Sequence, residues 1–282
     1  MTTATLPYQN VLVIAANGKT GRRVVPLLED RGVAVRRGSR SGSPAFDWAE
    51  PATWEPALEG MDAAYVVYTP DLSVPGAPED LTRFVEVARS KGVRKLVLLS
   101  GRGEPEARAC ELIVEQSGLA WTIVRAGWFD QNFSEGDFAG MVADGAIALP
   151  NPDVPEPFVD VDDIAEVAAE ALLDQRHNGE VYEVTGPELL TYTDVAQQLS
   201  DAAGREIRYM PVTTEEFFAG MEQAGVPAEY GDLLRYLFEI TSSGVNAHVT
   251  DGVQRALGRP PRSFREFAAE VAFGEMREVS RG

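Results

Sequence analysis

The chain has one cysteine, two histidines and three lysines in 282 residues. A single thiol, Cys110, excludes an intramolecular disulfide and a thiolate metal cluster, and its place on the face of a helical pattern makes packing its simplest role. Mechanisms that need histidine can draw only on His177 and His248. The first, in Arg176-His-Asn-Gly179, reads as a turn residue, and the second precedes a capped helix. There is no G-x-S-x-G elbow and no H-E-x-x-H pair, so the common hydrolase and zinc-protease arrangements are missing. No metal site is expected. No apolar run approaches the roughly 18 residues of a membrane helix, and the first residues lack a basic start and an apolar stretch of signal length. A cytoplasmic protein is expected. Basic charge is short as well: 25 Lys plus Arg against 44 Asp plus Glu give a formal charge of −19, a field that repels phosphate backbones and anionic bilayers. Nucleic acid and membrane are therefore not expected partners, and a small molecule is.

The remaining composition, 44% apolar and 24% charged with four tryptophans, is that of a globular protein long enough for one large core with an appendage. Val11–Ala15 is a wholly apolar, β-favouring run. It is followed by Ala16-Asn-Gly-Lys-Thr-Gly21 and then by Arg22–Asp30, whose apolar residues recur with helical spacing. Further strands are expected at Val33–Arg37, Ala64–Thr69, Lys95–Ser100, Trp121–Arg125 and Val181–Thr185. Helices are expected at Glu79–Ser90, Glu106–Gln116 and Val161–Asp174. Strands without polar alternation, interleaved with amphipathic helices, indicate a doubly wound α/β fold with a parallel sheet covered on both faces. After Arg125 the texture changes: Trp128–Phe133 is aromatic and amide-rich, and Leu149–Pro157 holds too many prolines for a helix or a central strand. The sequence predicts a dinucleotide-binding core over 1–185, with 128–158 as loops over its site. A small, mostly helical subdomain with one extended piece at Ile207–Val212 is expected over 186–282.

A glycine-rich turn between the first strand and first helix of such a sheet lets backbone N–H groups approach a pyrophosphate. Gly18 and Gly21 fit G-x-x-G-x-x-G spacing, with Ala15 where the first glycine would stand. The segment serves either dinucleotide binding or a merely structural turn. No acid occurs from Arg31 through Phe46 to bond a ribose 2′-hydroxyl. Instead the second strand runs into Arg36-Arg-Gly-Ser-Arg40, which suits a 2′-phosphate, and hence NADP(H), or else forms a solvated basic loop.

Several segments together resemble the NmrA-like branch of atypical short-chain dehydrogenases, and within it bacterial relatives of the ergot alkaloid reductases. They are Gly18-Lys-Thr-Gly-Arg-Arg23, Ser39-Arg-Ser-Gly42, Phe46-Asp-Trp48, Val97-Leu-Leu-Ser100, Trp128-Phe129 with Gln131-Asn-Phe133, Phe158-Val-Asp-Val-Asp-Asp-Ile164, Thr185-Gly-Pro187, Asp251-Gly-Val253 and Leu257-Gly-Arg-Pro-Pro261. The resemblance spans nearly the whole chain and implies a Rossmann-like fold and an NADP(H) site. By position, Gly18, Lys19, Thr20 and Gly21 would line the pyrophosphate, and Ser39 and Arg40 the 2′-phosphate. Asp47 and Trp48 would lie near adenine, Tyr68, Thr69 and Pro70 beside the cofactor, and Ser100 near the nicotinamide ribose. Two positions depart from the pattern: Ala15 replaces glycine, and Asp130 stands where members often carry an apolar residue.

Ordinary short-chain dehydrogenases move a proton with a Tyr-x-x-x-Lys pair. None of the eight tyrosines has a lysine four residues on, and Ala107 occupies the place the resemblance gives that lysine. Reduction of a C=N⁺ bond needs no acid, because hydride addition neutralises the charge. A conjugated acceptor could be protonated by water or a carboxyl. Asp130 is the candidate catalytic group, as proton donor or as anchor for a cation, unless it only caps a helix or bonds a loop. Trp128, Phe129, Gln131, Asn132 and Phe133 are candidate substrate residues, the aromatic ones forming either a ligand wall or ordinary packing. Asp160, Asp162 and Asp163 most simply cap the following helix. The expected activity is NADP(H)-dependent reduction of a small cyclic or aromatic metabolite. A non-catalytic NADP(H) sensor and a non-redox cyclase or isomerase are the alternatives.

Overall fold

The computed structural model describes residues 6–136, 138–150 and 153–279, the side chains of 273–279 excepted. Asn151 and Pro152 of the proline-rich stretch, and Met1–Thr5 of the first residues read as lacking a signal, lie outside the described residues. The first half of the chain forms β1 (Asn10–Ile14), α1 (Gly21–Glu29), β2 (Ala34–Gly38), α2 (Trp54–Leu58), β3 (Ala63–Val66), α3 (Ala77–Ser90), β4 (Lys95–Gly101), α4 (Pro105–Glu115), β5 (Ala120–Ala126), α5 (Asn132–Glu135) and α6 (Ala139–Asp144). It continues through β6 (Ala146–Leu149), α7 (Val161–Leu173), β7 (Glu180–Val184), α8 (Tyr192–Ala203), β8 (Arg208–Pro211), α9 (Thr214–Gln223), α10 (Ala228–Ser242), α11 (Gly252–Leu257) and α12 (Phe264–Val279).

These elements fall into two compact units, and the division is not a single cut at 185. The first unit takes Met1–Ala126, Val161–Val184 and Asp251–Arg259, and the second Gly127–Asp160, Thr185–Thr250 and Pro260–Gly282. The physical reason lies in pairing. β7 hydrogen-bonds to β5, from Thr122 opposite Glu180 to Ala126 opposite Val184, and α11 packs on α7 and β7, so both belong to the sheet they complete.

In the first unit six strands lie in the order β2-β1-β3-β4-β5-β7, every pairing parallel. This is the doubly wound, Rossmann-like arrangement the apolar strand runs imply. The order reverses between β1 and β3, the place where such sheets open a ligand crevice at the carboxyl ends of their strands. Leu12 and Ile14 of β1 join Trp48, Trp54, Phe84 and Leu96 in one core cluster. Across the sheet, α7 is rich in alanine, with Ala165, Ala168 and Ala171 fully buried, so α1 and the strands approach it closely. At the start of β4, Lys95 is fully enclosed and its ammonium donates to Thr122 Oγ1 and Asn178 Oδ1. Burial pushes that lysine down to about 8.

In the second unit β6 and β8 form a parallel pair, β8 being the extended piece expected near 207–212. A capping box of Thr191 and Asp194 starts α8, and α12 packs along that helix. The core of this unit is aromatic, gathering Phe133, Phe138, Phe158, Phe238 and Phe264.

Candidate cofactor and catalytic site

The turn after β1 is closely packed on itself. Ala15 carries φ +53°, and among the described residues it is the one non-glycine in the left-handed region. Its side chain packs on the core cluster of Leu12 and Trp48, and the alanine holds a left-handed backbone that glycine would adopt without strain. The Ala15 carbonyl accepts the Gly18 amide at 2.8 Å. A Cβ at Gly18 would come 3.1 Å from that oxygen and one at Gly21 2.2 Å, so the second contact forbids any side chain. Thr20, the residue before α1, makes no side-chain cap. Lys19 is half-buried, and its carbonyl accepts from Arg23.

The corner after β2 separates arginines that look alike in sequence. Arg36 donates to the carbonyls of Pro56, Ala57 and Glu59 at the end of α2, and Arg37 pairs with Glu29 at 3.1 Å. Both are consumed by structure. Arg40 is exposed and engages no partner among the described residues. Ser39 beside it is half-buried, and its carbonyl holds the corner by accepting from Gly42 and Phe46.

The other predicted cofactor residues of this unit are tied into its fabric. Asp47 accepts the Trp54 indole N–H on its carbonyl at 2.7 Å and the Ala49 amide on its carboxylate. Trp48 is buried, its indole donating to the Val67 carbonyl at 2.9 Å. Tyr68 is buried too, and its hydroxyl donates to Asp80. Burial and that carboxylate push the phenol well above its usual range. Thr69 and Pro70 are exposed beyond the end of β3.

Ser100, at the end of β4, donates to Glu111 Oε1 at 2.7 Å. Glu111 is fully buried, and Arg125 grips it through two bonds of 2.6 Å, with Arg108 adding a third at 2.9 Å. Burial alone would raise that carboxyl; the bonds from Arg125, Ser100 and Arg108 outweigh it and hold the group below the ordinary carboxylate range. Sequence reading missed this centre. Its signal was a charge in the buried stripe of α4, where Ala107, Cys110, Glu111 and Val114 share one face.

A second carboxyl centre was also missed. Glu104 precedes α4 without capping it. Its carboxyl lies instead over Gly101, where a Cβ would stand 2.0 Å from Oε1, and it hydrogen-bonds to Asp71. Burial, then the neighbouring Asp71, push Glu104 up to about 9. Cys110 donates weakly to the Leu72 carbonyl, and burial, then Asp71, raise its thiol to about 12.

In the second unit the predicted substrate residues form a knot. Phe129 bridges Val159, the Asp130 amide donates to the Val159 carbonyl, and the Phe133 amide donates to the Asp130 carbonyl. Asp130 is fully buried. Gln131 is buried and donates to Asp160 at 2.8 Å, and Arg262 lies 3.2 Å from the other oxygen of Asp160. Trp128 donates to Thr241 Oγ1 at 2.8 Å and stacks on Phe138. Phe133 sits in the core, 1% exposed, between Phe138, Phe158 and Phe264. Phe129 and Asn132 remain half-buried. The aspartates expected to cap α7 pair with arginines: Asp162 with Arg23, and Asp163 with Arg259.

Comparison with known proteins agrees with this architecture. The chain matches the NmrA-like family over residues 108–267 and an NAD(P)H-binding family over 15–175. It is 31% identical to the NAD(P)H azoreductase of Xenophilus azovorans, over 94% of this chain and 99% of that protein. Agroclavine dehydrogenase of Claviceps fusiformis is likewise 31% identical, over 92% of this chain and 96% of its own length. Among solved structures, Citrobacter sp. triphenylmethane reductase complexed with NADP(H) superposes with a TM-score of 0.75 at 21% identity, over 93% of this chain and 99% of that one.

Proposed function

The chain belongs to the NmrA-like family of NAD(P)H-binding oxidoreductases, and from that premise we propose an NADPH-dependent reductase of a small cyclic or aromatic metabolite. The carrying observation is the Ala15–Gly21 turn, in which the Gly21 position admits no Cβ. With no side chain between them, the start of α1 packs directly on the turn, an arrangement that fits a pyrophosphate held by amides at a helix start. Gly18, Lys19, Thr20 and Gly21 would hold that pyrophosphate. Arg40, charged, exposed and without a partner among the described residues, fits the 2′-phosphate with Ser39 beside it, and Ser100 would meet the nicotinamide ribose.

The bound dinucleotide would supply a hydride. The acceptor is a C=N⁺ carbon or a conjugated system, because no Tyr-x-x-x-Lys pair exists to serve a ketone. The net charge of −19 favours cationic over anionic metabolites. Asp130 remains a candidate anchor or acid. Asp130→Asn lowers turnover if it has that role, and unchanged turnover in a folded variant removes it.

The test has two stages. NADPH is titrated into the purified protein while nicotinamide fluorescence is followed, and a saturable change is expected; none at millimolar coenzyme overturns the reading. NADPH oxidation is then followed on adding an iminium, a quinone and an enone. Binding without oxidation on any acceptor would make the protein a coenzyme sensor.

A further inference from the structure

We propose that the carboxyl pair Asp71–Glu104 stores the proton that completes reduction of neutral acceptors, with Glu104 as the donor. The inference rests on the reductase reading above and supplies what that reading lacks, an acid in place of the missing tyrosine.

The pair is built rather than incidental. Asp71 follows the exposed Thr69 and Pro70 beyond β3, and Glu104 follows Ser100 and Gly101 at the end of β4. β3 and β4 are neighbours in the sheet, so the two carboxyls meet at the carboxyl edge where doubly wound folds do their chemistry. Gly101 makes the meeting possible, since any Cβ there would overlap the Glu104 carboxyl at 2.0 Å. Asp71 Oδ1 is committed, accepting the Ser73 amide at 2.8 Å and its hydroxyl at 2.7 Å. Two carboxyls within hydrogen-bond reach share one proton at neutral pH. Glu104 is the one to carry it, because its Oε2 is sealed from solvent with no hydrogen-bond partner among the described residues. An ionised oxygen so placed would bear its full desolvation cost.

The other charged groups reinforce this. Glu106 and Glu111 of α4 both add negative potential at Glu104. The arginines nearby have other partners: Arg125 bonds to Glu111, Arg108 to Glu111 and Glu115, and the buried Arg102 lies 3.7 Å from Glu183. Burial, then Asp71, hold the Glu104 proton until about pH 9, so the acid is loaded across the physiological range. Both members are only half-buried, which leaves a route for water to restore the proton.

The electrophilic atom of the acceptor, a carbon or an azo nitrogen, takes a hydride with its electron pair from reduced nicotinamide, leaving NADP⁺. The π pair moves to the far oxygen, nitrogen or carbon, which takes the proton from Glu104. The resulting carboxylate is reprotonated from water. An iminium acceptor ends neutral without this proton, so the pair matters for quinones, azo compounds and enones alone.

The experiment compares Glu104→Gln and Gly101→Ala with wild type, using NADPH with a quinone and with an iminium acceptor. For Glu104→Gln the quinone kcat is expected to fall about 100-fold or more, and the iminium kcat by less than about threefold. Gly101→Ala, which displaces the carboxyl, is expected to show the same split. A readout without coenzyme accompanies these: melting temperature from pH 5 to 9. Folded Glu104 keeps its proton where unfolded Glu104 has lost it, so wild type must lose stability relative to Glu104→Gln as pH rises through this window. Equal losses on both acceptors, no loss on the quinone, or a melting difference independent of pH would each overturn the proposal. Absence of NADPH oxidation by wild type on every acceptor, with a pH-dependent melting difference intact, would instead sink the reductase reading and leave the neutral carboxyl standing.

Discussion

The carbonyl oxygen of Ala15 stands 2.2 Å from the point a Cβ on Gly21 would occupy, so the residue that strains the turn is also the one that fixes glycine at the start of α1. Gly21→Ala is expected to destabilise the fold by about 3 kcal/mol or more, since backbone rather than a flexible side chain must move. NADPH binding should vanish with it. Ala15→Gly trades relief of the left-handed penalty, about 1–2 kcal/mol, against unfolded-chain entropy of about 0.4–1 kcal/mol and the lost methyl packing. A stability change below about 1 kcal/mol is expected, whereas Ala15→Val, β-branched at positive φ, should cost well over that. Denaturant unfolding of the three variants checks the order.

Arg40 and Arg36 should respond in opposite ways. Arg40→Ala is expected to weaken NADPH about 10- to 100-fold, the worth of a charge-assisted bond to phosphate, while NADH affinity stays nearly constant. Arg36→Ala should leave the NADPH-to-NADH ratio intact and lower stability by freeing the carbonyls that end α2. Coenzyme titrations paired with thermal melts separate the two, and equal losses of both coenzymes in Arg40→Ala would contradict the 2′-phosphate assignment.

Glu111 should behave as a structural anion. Removing it leaves Arg125 without its carboxylate and Ser100 without its acceptor, while Arg108 keeps Glu115, so Glu111→Ala is expected to cost about 3 kcal/mol. Its depressed pKa gives the sign with pH. The stabilisation is complete above the unfolded carboxylate value and disappears as pH falls through the lower folded value. The stability difference between wild type and Glu111→Gln should therefore shrink toward acid, as urea titrations from pH 6 to 3 would reveal.

Lys95 predicts a slope of the same sign, but at alkaline pH. Its folded pKa is near 8, while the unfolded chain holds the proton until about 10.4. Over that interval the unfolded state binds more protons and folding becomes more favourable as pH rises. Relative to Lys95→Met, in which every other titration is shared, wild type should gain about 1.5 kcal/mol between pH 8 and 9.5. A constant difference would mean the ammonium is solvated.

Much of this molecule could be read before its structure. The apolar run ending at Ile14, the glycines at 18 and 21 and the helical spacing beyond them announce a strand, turn and helix, because each element has its own period. Other features were hidden by chemical identity. Arg36, Arg37 and Arg40 are indistinguishable in sequence, and only the carbonyls of α2 and the carboxylate of Glu29 decide which guanidinium stays unengaged. Phe133 and Trp128 could equally have been ligand wall or core, since aromatic rings serve both; Phe133 proves to be core. β3 was expected to reach Thr69 and stops at Val66, where the Trp48 indole, rather than a neighbouring strand, takes the Val67 carbonyl. Asp71 and Glu104 lie 33 positions apart, and nothing local in either segment indicates the other.

The route of the chain also bears on how the protein is made. A nascent polypeptide delivers β5 well before β7, and all of 127–160 emerges in between. During that interval β5 is a bare sheet edge of the kind that invites wrong pairing. Synthesis must then run on to residues 251–259 before α11 can close over the last strand. Emergence of residues 251–259, not of the first 185, is thus the moment at which the nucleotide-binding half becomes whole.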